Sequence, residues 1–433
     1  MTAEVAILNK LGIALAADSA VTISEGEDSK KVFNTADKLF ELSKTQPIAC
    51  MVFSNLQFMH TPLQVLIKEF RNQIETCQKI SDASNQLLNY LHTYASESSD
   101  EVKNGSVLGN IKKHYSILQN RASEQITRKF SDPEFIVRSE NLSLDFNSVI
   151  NESWSTALAV LDRFSNTWSQ AVLIGEFPES SLLDILFDEV MSASDPKPPD
   201  SFKEEIKLLL TRILRLSSPF ELSTGVVVAG YGEGEMFPTV EHYDIYAPLM
   251  GTLKFRLVDR VDICRSGPRA RVMAFAQREM AERFLFGLDA QTRERIVRFC
   301  KQSISVIGEH AVSLVQFEDE EKEGLFKTEI LKAESAFLEA LQNDGMDSIR
   351  LGNQDSVEDM VEFMPKQDLA EFAEALVNLS SLQRRVNSGF ETVGGPVDVA
   401  VISKAEGLVW VKRKHYFPDA LNTRFFDRNR SKP

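Results

Sequence analysis

Three observations predict an α+β fold for this chain. Apolar segments of strand type crowd into residues 4–55, return at 225–258 and close the sequence at 397–411. Between them lie long stretches in which apolar side chains recur every three or four residues, the period of a helix. Runs of strands followed by runs of helices are the pattern of an α+β architecture. At 433 residues, 43% hydrophobic and 26% charged, the chain can bury a sizeable core, and its length suggests two or three domains.

The first predicted element is a hairpin. Glu4-Val5-Ala6-Ile7-Leu8 makes one strand, Asn9-Lys10-Leu11-Gly12 the turn, and Ile13 to Ser19 the return. Because this hairpin starts at residue 2, no leader is expected before it and Thr2 is expected to act as a chain end. Asp18 ends the second strand, a loop follows, and Lys38 leads the next alternating stretch, Lys38-Leu39-Phe40-Glu41-Leu42. After the turn at Ser43 to Pro47, Ile48 to Asn55 forms a strand that ends in small polar residues. Thr61 can cap the helix that follows, Pro62 fits its first turn, and Leu63, Leu66, Ile67 and Phe70 supply the apolar stripe.

A second amphipathic helix is expected over residues 81–94, and the acidic, glycine-containing segment 97–110 breaks the pattern. From there to about residue 218 helical periodicity dominates, with Asp195-Pro196-Lys197-Pro198-Pro199-Asp200 as a linker. Strands are predicted at 225–231, 239–246 and 251–258. Val261 to Gly267 then leads into one long helix over about 270–288. Further helices follow over 290–315 and 328–341, and the acidic run at 318–321 between them reads as a solvated loop. A helix over 366–386, a Gly394-Gly395 pair and a hairpin of strands 397–403 and 408–411 complete the pattern.

Charge and composition exclude several functions. A net charge of −15 repels phosphate backbones and anionic lipid, so nucleic acid is not an expected partner. No apolar run approaches the ~20 residues of a membrane span, and no signal peptide is expected, which predicts a cytoplasmic protein without a membrane partner. Cys50, Cys77, Cys264 and Cys300 lack metal-binding spacing and read as free thiols of a reducing compartment. The six histidines are isolated, so neither a metal nor a cofactor is expected. Gly230-Tyr231-Gly232-Glu233-Gly234 lacks the Lys and following helix of a phosphate-binding loop and reads as a turn.

The chemistry is carried by the beginning of the chain. Removal of Met1 would place a hydroxyl and a free α-amine on Thr2, a nucleophile with its own base. An α-amine of unperturbed pKa about 7.7 to 8.0 is suited to taking the hydroxyl proton. Thr2, the Asp18 that ends an Ala-Ala strand, and the strand-leading Lys38 together resemble the opening of the proteasome β-subunit family and its bacterial peptidase relatives. These are N-terminal-nucleophile hydrolases. The apolar strand ending Gly230-Tyr231 and the final helix, Gly-Gly and hairpin are similar to later elements of that family.

The resemblance implies a four-layer αββα sandwich with a large helical insertion. It divides the chain into a first part of the hydrolase core (1–96), a helical insertion (97–222), a central part of the core (223–316), an acidic loop with a helical insertion (317–363), and a C-terminal helix with closing hairpin (364–433). It implies Thr2 as nucleophile, Lys38 close to it, Asp18 holding Lys38 charged, and Ser266 beside the terminal amine, with Lys31 an alternative to Lys38. A backbone N–H of Ser54 or Asn55 would hold the oxyanion, where the family has Gly-Gly; if the turn requires positive φ, Asn55 tolerates it better. Phe53 would narrow the substrate path. The family's Asp and Ser before the late Gly-Gly are absent, and Glu391 is the substitute carboxylate. The implied substrate is a polypeptide or small amide, and the implied partners are a homo-oligomeric ring and an ATPase or other protein. Two further readings stay open: a structural or interaction protein that keeps the fold without activity, and an amidase or acylase for a small amide.

Overall fold

The computed structural model describes residues 2–25, 29–132, 135, 146–317, 319–386, 394–424 and 427, of which 22–25, 29–32, 384, 385 and 419 by backbone alone. The chain opens with strands β1 (Ala3–Asn9) and β2 (Gly12–Ala17), both buried along their whole length. A short hairpin follows, β3 (Val21–Glu25) with β4 (Ser29–Phe33), where the sequence suggested only a loop. Next come β5 (Leu39–Glu41), β6 (Ile48–Ser54), and the two-residue strands β7 (Gln57–Phe58) and β8 (Thr61–Pro62). Helix α1 (Leu63–Phe70) buries Leu63, Leu66, Ile67 and Phe70, the expected stripe, and α2 (Ile80–Glu97) follows it.

Helices α3 (Asp100–Phe130), α4 (Phe146–Ser165), α5 (Ser180–Ser192) and α6 (Lys203–Leu214), interrupted by strand β9 (Val172–Ile174), form the middle of the chain. Segment 97–110 does not break the helical pattern beyond a short joint, because α3 starts at Asp100 and carries Gly105 and Gly109 within it. These four helices share a core built around Val107, Tyr115, Trp154, Leu158, Phe187 and Ile213. Pairing of β9 with β12 (Leu253–Asp262) joins this block to the edge of a sheet.

The remaining strands are β10 (Ser223–Gly230), β11 (Thr239–Tyr246), β13 (Ala270–Ala276), β14 (Asp398–Ser403) and β15 (Gly407–Lys412). The late helices are α7 (Glu279–Phe286), α8 (Ala290–Leu314), α9 (Glu320–Ala340), α10 (Ser348–Glu362) and α11 (Lys366–Val386). The long helix expected over 270–288 is a strand followed by a two-turn helix. Ala-Arg-Val-Met-Ala-Phe-Ala reads equally well at either period, and pairing with the otherwise open edge of β1 decides for the strand. The acidic run is not a loop from Asp319 onward. Asp319 caps α9 by accepting from the Lys322 backbone N–H at 2.7 Å, and Glu320, Glu321 and Glu323 occupy the first turn, where the helix dipole favours negative charge.

Among the described residues the strands make two large antiparallel sheets, ordered β13-β1-β2-β14-β15 and β5-β6-β10-β11-β12-β9. Two-residue alternation sorts their side chains. Ala6, Leu8, Ile13 and Leu15 of the first sheet meet Leu39, Met51, Phe53 and Val227 of the second. The opposite face of the first sheet, with Val5, Ile7, Ala14 and Ala16, packs on Leu285, Val361, Leu369 and Leu376 of α7, α10 and α11. The opposite face of the second, with Cys50, Val52, Val226 and Val228, packs on α1 and α2. Burial on both faces explains why β1 and β2 are almost continuously apolar and easily read from sequence. No described helix is long and apolar enough to cross a membrane.

Candidate active site

The register of β1 and β2 brings Thr2 to the open end of the first sheet, next to Asp18. The Asp18 backbone N–H donates to the Ala3 carbonyl at 3.1 Å, and the Ala3 N–H returns a bond of 3.1 Å to Asp18 Oδ1. Lys38 lies just before β5, held by the Val52 N–H, which donates to its carbonyl at 2.9 Å. Its side chain is fully buried, and Nζ donates to Asp18 Oδ1 at 2.6 Å and to the Ala20 carbonyl at 2.6 Å. One carboxylate oxygen thus holds both the peptide N–H that follows Thr2 and the Lys38 side chain. The second oxygen, Oδ2, accepts from the Gly394 N–H at 3.1 Å, and Gly394 in turn accepts from Ser19 N–H at 3.2 Å. Asp18 therefore joins three distant pieces of chain at Thr2.

The other neighbour of Thr2 is Gln277, whose N–H donates to the Thr2 carbonyl at 3.0 Å. Ser266 is not there. Antiparallel pairing sets Ala276 against Ala3 and Ala270 against Asn9, so the loop holding Ser266 lies past the far end of β1. Six residues of strand separate the two ends, roughly 20 Å. The periodicity after Gly267 predicts a helix directly, whereas β13 intervenes and carries the chain back along β1 before α7 begins at Glu279. Lys31 pairs through its backbone with Ile23 in the β3–β4 hairpin, its side chain is outside the described residues, and Lys38 is the lysine that reaches Asp18. Glu391 also lies outside the described residues.

A further ionisable group, Glu4, lies within electrostatic reach of Lys38 and Asp18 and is not among the residues the sequence singles out. Glu4 points by alternation to the same inter-sheet side as Ala6 and Leu8, is fully buried, and among the described residues neither carboxyl oxygen has a hydrogen-bond partner. Burial pushes its pKa well above the ordinary carboxylate value; Lys38 opposes that shift and Asp18 adds to it. Burial likewise lowers the pKa of Lys38, against the opposing contacts with Asp18 and the charge of Glu4, while Lys414 assists the lowering. The legible signal was an acidic residue inside a strand whose other members are apolar and buried on both faces.

Glu4 makes stability depend on pH with a definite sign. The unfolded carboxyl titrates near 4.5 and the folded one higher, so above pH 4.5 the folded state binds more protons. Stability attributable to Glu4 falls as pH rises through that window. Glu4→Gln removes the titration, and urea unfolding at pH 5 and pH 8 should find the variant gaining on the parent by about 1 kcal/mol or more at the higher pH. An identical difference at both pH values would contradict this.

The turn at the end of β6 opens into a cavity of about 880 Å³, lined among others by Val52, Ser54, Asn55, Asp37, Pro396 and Lys414. Ser54, and not Asn55, takes the left-handed conformation, with φ 67°. The Asn55 carbonyl accepts from Thr224 Oγ1 at 2.9 Å, which ties the turn to β10. Phe53 does not narrow the cavity. Its ring is in the core between the sheets, 5.8 Å from that of Phe275 and 5.4 Å from His242. Lys414, which lines this cavity, is held by buried Asp398, which accepts from the Lys414 N–H at 2.9 Å, from Lys414 Nζ, and from Arg413 Nη1 at 2.8 Å. Among the described residues no cluster of three or more His, Cys, Asp or Glu is arranged to hold a metal.

No protein-family model matches the chain, and no curated protein matches it. Among the solved structures, a Gly-1 mutant of Anbu from Hyphomicrobium sp. strain MC1 matches over 99% of this chain and 95% of that chain, at 12% identity and a TM-score of 0.28.

Proposed function

We propose that this chain is a threonine-type hydrolase of the N-terminal-nucleophile class, cleaving peptide or amide bonds through an acyl-enzyme on Thr2. The observation that carries the reading is the single Asp18 oxygen shared by the Ala3 N–H and Lys38 Nζ beside Thr2. Two facing sheets covered by α1 and α2 on one side and α7, α10 and α11 on the other favour a four-layer αββα core, with residues 97–222 as a helical insertion.

In this reading, removal of Met1 frees the Thr2 amine. The Thr2 hydroxyl adds to the substrate carbonyl while the amine takes the hydroxyl proton. The tetrahedral oxyanion forms at the Ser54–Asn55 turn, where a main-chain N–H is the required donor. Collapse passes the proton from the Thr2 amine to the leaving amine, breaks the C–N bond and leaves an ester on Thr2. Water then adds to the ester, again through the amine, and releases the acid. Lys38 acts as a positioning and electrostatic group, and Asp18 orients it together with the backbone that follows Thr2.

Intact mass of the purified protein, before and after incubation with a peptide β-lactone or epoxyketone, tests the reading. Loss of Met1 and one covalent adduct that disappears in Thr2→Ala are expected. Retention of Met1, or an adduct that survives Thr2→Ala, would overturn it and favour a structural or interaction protein.

A further inference from the structure

Helices α8 and α9, joined by a short loop, form an antiparallel hairpin that stands outside the packed body. Neither contributes a residue to the apolar clusters of the two sheets or of the helical block. Gly308 is the one buried residue of α8, and α9 has none. Most helical stability in proteins comes from packing an apolar face, yet these helices of 25 and 21 residues leave much of theirs in water. We infer that the hairpin is an interface between two copies of this chain, α8 of each lying along α9 of the other in a four-helix bundle.

The exposed apolar residues are patterned. Phe299, Val306, Ile307 and Leu314 recur at steps of seven and eight residues, two turns of helix, so they share one face of α8. Each is 64–72% exposed, and Leu325 and Leu331 of α9 are 63% and 60% exposed. The hairpin cannot cover them by closing further. A Cβ added at Gly308 would meet Glu334 Oε1 at 2.2 Å and Ile330 Cγ2 at 2.8 Å, so the two helices already touch there. The base of the hairpin is fixed as well, because Arg293 Nη1 pairs with Asp347 Oδ1 at 2.9 Å.

Charge decides for a second copy over a partner of a single sign. Helix α8 carries Arg293, Arg295, Arg298 and Lys301 against Glu294 and Glu309, whereas α9 carries six glutamates against Lys322, Lys327 and Lys332. A strongly acidic or strongly basic surface would be repelled by one of the two helices. A two-fold pairing is isologous, so the basic helix of one copy meets the acidic helix of the other at both contacts. This local attraction works against the net charge of −15 that otherwise keeps copies apart. The size of the surface agrees. The 21 residues of α9 run for about 30 Å, and two helices side by side are about 20 Å wide, which gives roughly 600 Å² per copy. The pair would bury about 1,200 Å², where the range of stable interfaces begins.

The interface is independent of the reading of Thr2, and its test needs no turnover. Sedimentation of the full chain at about 100 μM should find particles holding an even number of 48.7 kDa chains. Phe299→Glu with Ile307→Glu should halve that mass while far-UV circular dichroism is kept, because both side chains are exposed in the single chain. Arg295→Glu with Lys301→Glu makes α8 acidic, and in a separate chain Glu321→Lys with Glu339→Lys makes α9 basic. Each charge variant alone should self-associate at least about tenfold more weakly than the parent, and the two mixed should pair with each other, since opposite signs then meet at both contacts. A monomeric parent, a double glutamate variant that keeps the parent's mass, or charge variants that pair with each other no better than with themselves would each overturn the proposal.

Discussion

Asp18→Ala is expected to destabilise the folded chain by about 3–5 kcal/mol, the range for breaking a buried ion pair by removing one partner. The carboxylate accepts from Ala3 N–H, Gly394 N–H and Lys38 Nζ, so its loss strands two main-chain donors and leaves Lys38 only the Ala20 carbonyl. Burial already lowers the Lys38 pKa, and without Asp18 the neutral amine becomes more favourable still. The unfolded lysine keeps its proton up to about pH 10.5, so the folded variant binds fewer protons than the unfolded chain above its own lowered pKa. Its deficit should therefore shrink as pH rises. Guanidinium unfolding at pH 6 and pH 9 measures both quantities, and a deficit below about 1 kcal/mol at pH 6 would mean that Asp18 does not hold this end of the sheet together.

Lys38→Met is expected to slow acylation of Thr2 by about 10²- to 10⁴-fold, the contribution usual for a positioned proton-transfer or electrostatic group. Methionine fills most of the space of the lysine stem between the sheets and removes only the amine. Asp18 keeps its two backbone donors in this variant, so stability should fall less than in Asp18→Ala. The second-order rate of adduct formation with the peptide β-lactone is the measurement, with intact mass establishing that Met1 has left. A rate within about threefold of the parent would remove Lys38 from the chemistry. A double-mutant cycle of Asp18→Asn with Lys38→Met then reads their coupling directly, since two groups in contact should not act additively.

Much of the fold was legible because β1, β2, β6 and β10 are buried on both faces and carry long apolar runs bounded by turns. Helix α11 coincides with its predicted bounds for a similar reason: a regular stripe on the first sheet required the 3.6-residue period. Where periodicity was ambiguous, context decided. Ala270 to Ala276 became a strand because β1 needed a partner, and Gly105 with Gly109 stayed inside a helix because Val107, Ile111 and Tyr115 on the same helix enter the core of the helical block.

The sequence by itself determined the local features near Thr2: a hairpin at the start of the chain, an aspartate at the end of its second strand, and a lysine leading the next. These follow from side-chain pattern within a few residues, where propensity and turn chemistry act. Only the tertiary structure decided which groups meet there. It brought Gly394 to Asp18 and Gln277 to Thr2 across hundreds of residues, left Ser266 at the far end of β1, and closed two sheets over Glu4. Register and desolvation depend on surfaces supplied by remote parts of the chain. The charge state of Glu4 and Lys38, and the cavity at the Ser54–Asn55 turn, exist only once those surfaces are in place.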